Sequence, residues 1–283
     1  MTLGEWRGIA VALMVCCAGP ASAQTWETVG RPTTGPAQIY GGAANGCIAG
    51  AVQLPLDGPG YQAVRVSRNR YWGHPDTVAF VVNYAAQLSA RGFPSVYVGD
   101  MGQPRGGRMP FGHASHQNGL DVDIWFNLRP KSALPAVQRE QIETPLLVRN
   151  RSIDRAEFDR RHVEMLRIAA TQPNVERIFV NFVIKRELCN IVTGDRSWLR
   201  RIRPWYGHDE HFHVRMACPA SSPNCVRQPA LPAGDGCDEL DWWFRPPPPQ
   251  PAVAAPARPR TRPPPPPQCA AVLRDIVPAA LTR

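Results

Sequence analysis

Apolar residues recur three and four apart over residues 76–91, where Val78, Val81, Val82, Ala85 and Leu88 mark one helical face. Asp76, following Pro75, reads as the N-cap of this helix and Gly92 as its stop. A second helix is predicted over 153–171, with Asp159, His162, Leu166 and Ala169 or Ala170 on one repeat. Short strands are predicted at 95–99 and 121–126. In the latter, Asp, Val, Asp and Ile alternate, so Asp121 and Asp123 share a face. Residues 176–184 hold the apolar run RIFVNFVI and read as a buried strand. Over 211–216 the order His, Phe, His, Val, Arg, Met alternates strictly. His211 and His213 therefore point one way, and Phe212, Val214 and Met216 the other.

The two ends of the chain read differently. Arg7, an apolar run over 9–19 and the small residues Ala21, Ser22 and Ala23 form a secretory signal over 1–23, which predicts export to the periplasm. The run falls short of the ~20 residues needed to cross a bilayer, and no other segment could span one. Residues 245–268 are mostly Pro, with Arg258, Arg260 and Arg262 and no acid, and predict an extended low-complexity spacer. The 283 residues in all suit one enlarged domain, placed at 24–244, with a tail at 269–283 that Cys269 could tie back.

Removing the signal leaves Cys47, Cys189, Cys218, Cys225, Cys237 and Cys269. An even number in an oxidising compartment predicts disulfides, and spacing alone favours only Cys218 with Cys225. The net charge is +9, almost all of the cations being Arg. An exported cationic protein suits an anionic surface such as a cell wall, whereas no basic helix or interleaved aromatic platform points to nucleic acid.

Six of the seven histidines fall in three clusters: HASHQNGLDVD from His113, DRRH from Asp159, and HDEHFH from His208. Single histidines are usually ordinary polar residues; grouped beside carboxylates they suggest a metal site. A catalytic zinc takes two or three imidazoles and a carboxylate and keeps one position open. His116, Asp123 and His213 supply that set, Gly119 allowing the turn between the first two. Such a centre makes a nucleophile of water near neutral pH. His211, two residues before His213 on the same face, is placed as general base, and His208 as donor to the oxyanion. Glu210 ranks below His211, because strand parity points it to the opposite face. Arg105, Arg108 and Arg215 lie near the motifs and could receive substrate carboxylates.

The segments SHQNGLDVD and HFH resemble the H-x6-D and H-x-H signature of the lysostaphin, D-Ala-D-Ala metallopeptidase and hedgehog fold group. Within it, HASHQNGLDVDIW, RIFVNFVIKRELC and GHDEHFHVRM resemble the penicillin-insensitive murein endopeptidases. The resemblance implies an α+β fold with a small antiparallel sheet flanked by helices. It also implies zinc on His116, Asp123 and His213, and hydrolysis of D-alanyl to diaminopimelyl cross-links without an acylatable serine. Further ligands would fall on His113, Asp159 and His162 and raise the prospect of a second ion. The implied disulfides are Cys47 with Cys269, Cys189 with Cys237, and Cys218 with Cys225. Two other readings fit the same signature: a D-Ala-D-Ala carboxypeptidase and a non-catalytic, metal-dependent wall-binding protein.

Overall fold

A computed structural model describes residues 24–245 and 262–275. The chain opens with a hairpin of β1 (Gln38–Gly42) and β2 (Asn45–Ala49), then β3 (Val52–Gln53), β4 (Asp57–Gly58), β5 (Tyr61–Ala63) and β6 (Trp72–Gly73). Helix α1 (Pro75–Ala90), β7 (Val96–Val98), β8 (Asp121–Trp125) and the small pair β9 (Val148–Arg149) and β10 (Ser152–Ile153) follow. Next come α2 (Arg160–Thr171), β11 (Val175–Asn181), α3 (Phe182–Ile191), β12 (Ile202–Trp205), β13 (His211–Met216), α4 (Asp241–Phe244) and α5 (Gln268–Arg274).

One seven-stranded sheet organises these elements, in the order β12-β11-β13-β8-β7-β5-β4. Its centre, β11-β13-β8-β7, is antiparallel as expected, but β12 runs parallel to β11 and β5 parallel to β7. The sheet is therefore larger and more mixed than a small antiparallel one, because α3 carries the chain back to start β12 alongside β11, as a parallel neighbour requires. The fold is α+β.

Strand alternation gives the sheet two unlike faces. One carries Ile178, Val180, Phe212, Val214, Val122 and Ile124, all fully buried. Against it lie Val81, Tyr84 and Leu88 of α1 and Met165, Leu166 and Ala169 of α2, in one continuous core. Tyr84 meets Phe212 edge to face and donates its hydroxyl to the Met165 carbonyl at 3.1 Å, which locks the two helices together. The other face carries Asp121, Asp123, His211, His213 and Arg215, and there polar chemistry collects.

The helix ends explain where the elements differ from the sequence reading. The RIFVNFVI run is not all strand: Asn181 accepts from the Val183 backbone N–H at 2.9 Å, caps α3, and turns Phe182, Val183 and Ile184 into helix. Helix α2 starts at Arg160 and not near Ile153, because Asp159 caps it in a reciprocal box with His162. In α1 the cap is His74, whose Nδ1 accepts from Asp76 N at 3.2 Å, with Pro75 in the first helical position.

Three disulfides, Cys47–Cys269, Cys189–Cys237 and Cys218–Cys225, hold the periphery. The first fastens α5 to β2 across 222 residues. Arg105 completes that junction: it is buried and donates to the carbonyls of Val272 and Leu273 at the end of α5 and to Asp275. The expected signal segment 1–23, most of the proline-rich stretch and the last residues of the tail lie outside the described residues. No described helix is long and apolar enough to cross a membrane.

Candidate metal centre

Strands β8 and β13 lie side by side with His213 opposite Asp123, His211 opposite Trp125 and Arg215 opposite Asp121. Directly paired residues share a face, so this register alone brings Asp123 and His213 together. His116 arrives from the loop before β8 in a left-handed backbone conformation, φ 65°. Such a conformation costs a non-glycine residue about 1 kcal/mol and persists only where its surroundings hold it. Here the His116 N–H donates to Asp121 Oδ2 at 2.9 Å. Gly119, φ +75°, closes the turn where a Cβ would press to 2.9 Å from Ile48 and 3.1 Å from the His74 nitrogen.

Three atoms converge. His116 Nε2 and His213 Nδ1 lie 3.1 Å apart, and each is 3.4 Å from Asp123 Oδ1. Donors about 2.0–2.1 Å from one tetrahedral ion sit ~3.3 Å from each other. Asp123 Oδ1 is buried and has no hydrogen-bond partner of its own. A buried carboxylate oxygen without a partner is costly. A cation shared with the two imidazoles would satisfy it, so the residues present fit a divalent ion.

The far nitrogens of both rings are already committed. His116 Nδ1 donates to the Met101 carbonyl at 2.7 Å, and His213 Nε2 faces Asp121 Oδ1 at 3.1 Å. Each bond fixes a tautomer and leaves the lone pair on the nitrogen that faces Asp123. Asp121, fully buried, is held in turn by a bidentate pair from Arg215 at 2.6 and 2.9 Å. The shared face of Asp121 and Asp123 was legible in the sequence, but the role of Asp121 in orienting both His116 and His213 was not.

A second histidine–carboxylate unit borders the first. His113 Nε2 bonds to Asp100 Oδ2 at 2.9 Å, while its Nδ1 lies 3.7 Å from Asp123 Oδ2. Arg68 and Arg70 both donate to that same Asp100 oxygen, and both stack on exposed Phe111. His113, His116 and Asp123 thus form a further group with ligand spacing, as do His116, Asp121 and His213. Asp159 and His162 do not join it. His162 donates from Nε2 to the Phe126 carbonyl, just past β8, and spends Nδ1 on the Asp159 cap, so both nitrogens are engaged within the chain. The structure does not bring His113, Asp159 and His162 to one point.

His211, half-buried, stands beside the candidate ligand set with Nε2 3.7 Å from Asp123 Oδ2 and its ring 5.5 Å from that of Trp125. Glu210 lies just before β13, where strand parity does not apply, and its carboxylate reaches 3.6 Å from His211 Nδ1. It therefore sits beside His211 and not on the far face. His208, 5.1 Å from His211 ring to ring, has a left-handed backbone, and its Nδ1 donates to the Tyr206 carbonyl at 2.8 Å. A neutral His208 then carries only a lone pair at Nε2, so donating to an oxyanion requires its protonated form. Of the three arginines near the motifs, Arg215 and Arg105 are taken up by Asp121 and α5, and only Arg108 is exposed.

Burial disfavours a charged ring at both candidate ligand histidines. At His116 the carboxylates of Asp123, Asp121 and Asp100 outweigh it and hold the pKa above the ordinary histidine value. At His213 burial prevails over Asp121, with the charge of His116 adding to it, and the pKa falls below that value. Near neutrality the pair accordingly carries one proton more than two neutral rings would, taken up on His116 at the Nε2 lone pair. A divalent ion must displace it, so affinity should fall about tenfold per pH unit as pH drops below the His116 pKa. Calorimetric titration with zinc at pH 7, in buffers of different ionisation enthalpy, should show about one proton released per ion bound. Binding with no buffer dependence would contradict this charge balance.

The buried pair of imidazoles with one carboxylate, and the half-buried histidines beside it, place the chain among α+β proteins with a hydrolase-type candidate metal centre. The family profile of the penicillin-insensitive murein endopeptidases matches residues 39–274, and the chain belongs to this family. The penicillin-insensitive murein endopeptidase of Haemophilus influenzae is 45% identical over 234 residues, 80% of this chain and 81% of its own. Those of Klebsiella pneumoniae and Escherichia coli are 42% and 43% identical over 250 and 251 residues, each covering 84% of this chain and 88% of the relative.

Proposed function

We propose that this chain is a zinc-dependent murein endopeptidase that hydrolyses D-alanyl to diaminopimelyl cross-links and is insensitive to penicillin. It acts in the periplasm once a signal at 1–23 is removed, and it shares the fold group of the D-Ala-D-Ala metallopeptidases and hedgehog proteins. The observation that carries the reading is the meeting of His116 Nε2, His213 Nδ1 and the partnerless Asp123 Oδ1 within 3.4 Å. Family membership supports murein as the substrate. Two imidazoles and a carboxylate suit zinc better than the all-oxygen shells that calcium and magnesium prefer. The cationic surface favours association with the anionic wall.

His116, Asp123 and His213 would hold the ion, which when bound would supply Lewis acidity toward the scissile carbonyl and water. The chain's own groups do the rest. His211 takes the proton of the attacking water and passes it to the leaving amine, and Glu210 beside it steadies the charge. His208, when protonated, donates toward the developing oxyanion. Asp121 and Arg215 keep the ligand rings in register. No serine is acylated, so a β-lactam has nothing to trap.

Chromatography of purified murein after digestion tests the reading. Cross-linked dimers should give monomers; chelator should stop this; His211→Ala should slow it about 10²–10⁴-fold. Trimming of stem ends with dimers intact would mark a D-Ala-D-Ala carboxypeptidase instead. Unchanged muropeptides with zinc-loaded protein would mark a wall-binding protein without catalysis.

A further inference from the structure

The site face of the sheet continues past the ligand set. Phe179 of β11 stands opposite His213, and Arg203 of β12 stands opposite Phe179, so Trp205, two residues further on, shares their face. The Phe179 ring lies 5.3 Å from His213 and 5.6 Å from Trp205. Trp205 in turn meets Trp243 of α4 at 6.1 Å, and Trp243 also packs on Tyr206 and Trp242, each at 5.0 Å. Phe182 and Phe244 pack with these rings.

This cluster is assembled from segments far apart in the chain and is pinned in place. Cys189–Cys237 ties α3 to the stretch leading into α4, and Arg203 pairs with Glu239. Yet Trp205, Tyr206 and Trp242 are 51%, 60% and 56% exposed. Contiguous exposed aromatics on a fixed frame mark a surface that something covers. Their place beside the catalytic groups indicates what: the Tyr206 carbonyl is the one that holds His208 Nδ1, so one loop serves both surfaces.

We propose that this aromatic platform takes sugar rings of the murein glycan strand while the adjoining centre acts on the peptide. The proposal rests on the murein reading above. Stem peptides offer carboxylates, amines and methyl groups. The flat C–H faces in murein belong to its N-acetylated hexopyranoses, which match the electron-rich faces of indole and phenol. Arg151 and Arg186, exposed and stacked over Phe182 and Phe244, stand at the rim with N–H donors for hydroxyl and acetamido oxygens.

The test uses the full chain and end-labelled glycan strands stripped of their stem peptides, followed by fluorescence anisotropy. The wild type should bind; Trp205→Ala and Trp242→Ala should each weaken binding about tenfold, and Trp205→Phe should retain most of it. In parallel, the rate on intact sacculi relative to that on sugar-free cross-linked peptide dimers should fall about tenfold in both alanine variants. Glycan binding by a wild type that cleaves neither substrate would sink the endopeptidase reading and support the platform. Cleavage without glycan binding, or alanine variants that bind as the wild type does, would overturn the platform. Self-association that Trp242→Ala abolishes at unchanged glycan affinity would overturn it too, in favour of a second copy of the chain.

Discussion

Asp123→Ala should abolish monomer release from murein and remove tight binding of a divalent ion while the protein stays folded. The Asp123 side chain is buried, and Oδ1 is the one atom equidistant from both ligand imidazoles, at 3.4 Å. Without it two neutral rings remain, too few to hold zinc in an open tetrahedral site. The loss of affinity should exceed the ~10–100-fold that follows loss of a group bonded only to a ligand. Stability should change less, because Oδ1 has no hydrogen-bond partner within the chain. Competition with a chromophoric chelator reads the affinity, and muropeptide chromatography reads the activity. Unchanged zinc affinity would remove Asp123 from the centre.

Asp121→Ala should do the reverse, costing stability first and affinity second. Arg215 is 8% exposed, and its guanidinium is bound to both oxygens of Asp121. Removing the carboxylate strands a buried cation, a change that costs about 3–5 kcal/mol. It also frees the His116 N–H and His213 Nε2, so the loop and one ligand ring lose their orientation, at ~10–100-fold in metal affinity. Replacing Arg215 as well, in Asp121→Ala/Arg215→Leu, should restore much of the stability, because no unpaired charge remains. Affinity should not recover. Denaturant unfolding measures the first, and additive losses in the double variant would show that the pair is not coupled.

The parts of this centre that the sequence disclosed are those set by alternation. HFHVRM could be read as a strand with both histidines on one face, and DVDIW likewise, because period-two patterns determine side-chain direction without knowledge of the partner strand. What alternation does not encode is which loop folds over that face. Asp100 and Met101, which orient His113 and His116, come from a segment with no motif of its own. Arg70, 4% exposed, gave no signal because buried arginines are recognised only by the acid they meet.

The failures have equally local causes. An apolar run such as RIFVNFVI suits strand or helix, and the single polar residue inside it, Asn181, proved to be the cap that divides the two. DRRH looked like a ligand pair one helical turn apart, and Asp159 and His162 are indeed adjacent. Their reciprocal hydrogen bonds start α2, a use of the same spacing that the sequence did not disclose and that does not by itself speak for or against metal ligation. Glu210 was misplaced by extending strand parity one residue beyond the strand. The parallel pairs β11–β12 and β5–β7 depend on the paths of α3 and α1, which no periodicity reports.

The most direct measurement is the position of zinc in crystals of the metal-loaded protein, located by anomalous scattering. An ion about 2.0–2.2 Å from His116 Nε2, His213 Nδ1 and Asp123 Oδ1, with a coordination position left open, is the predicted result. Zinc bound elsewhere, or a site lacking any one of these three atoms, would contradict the account.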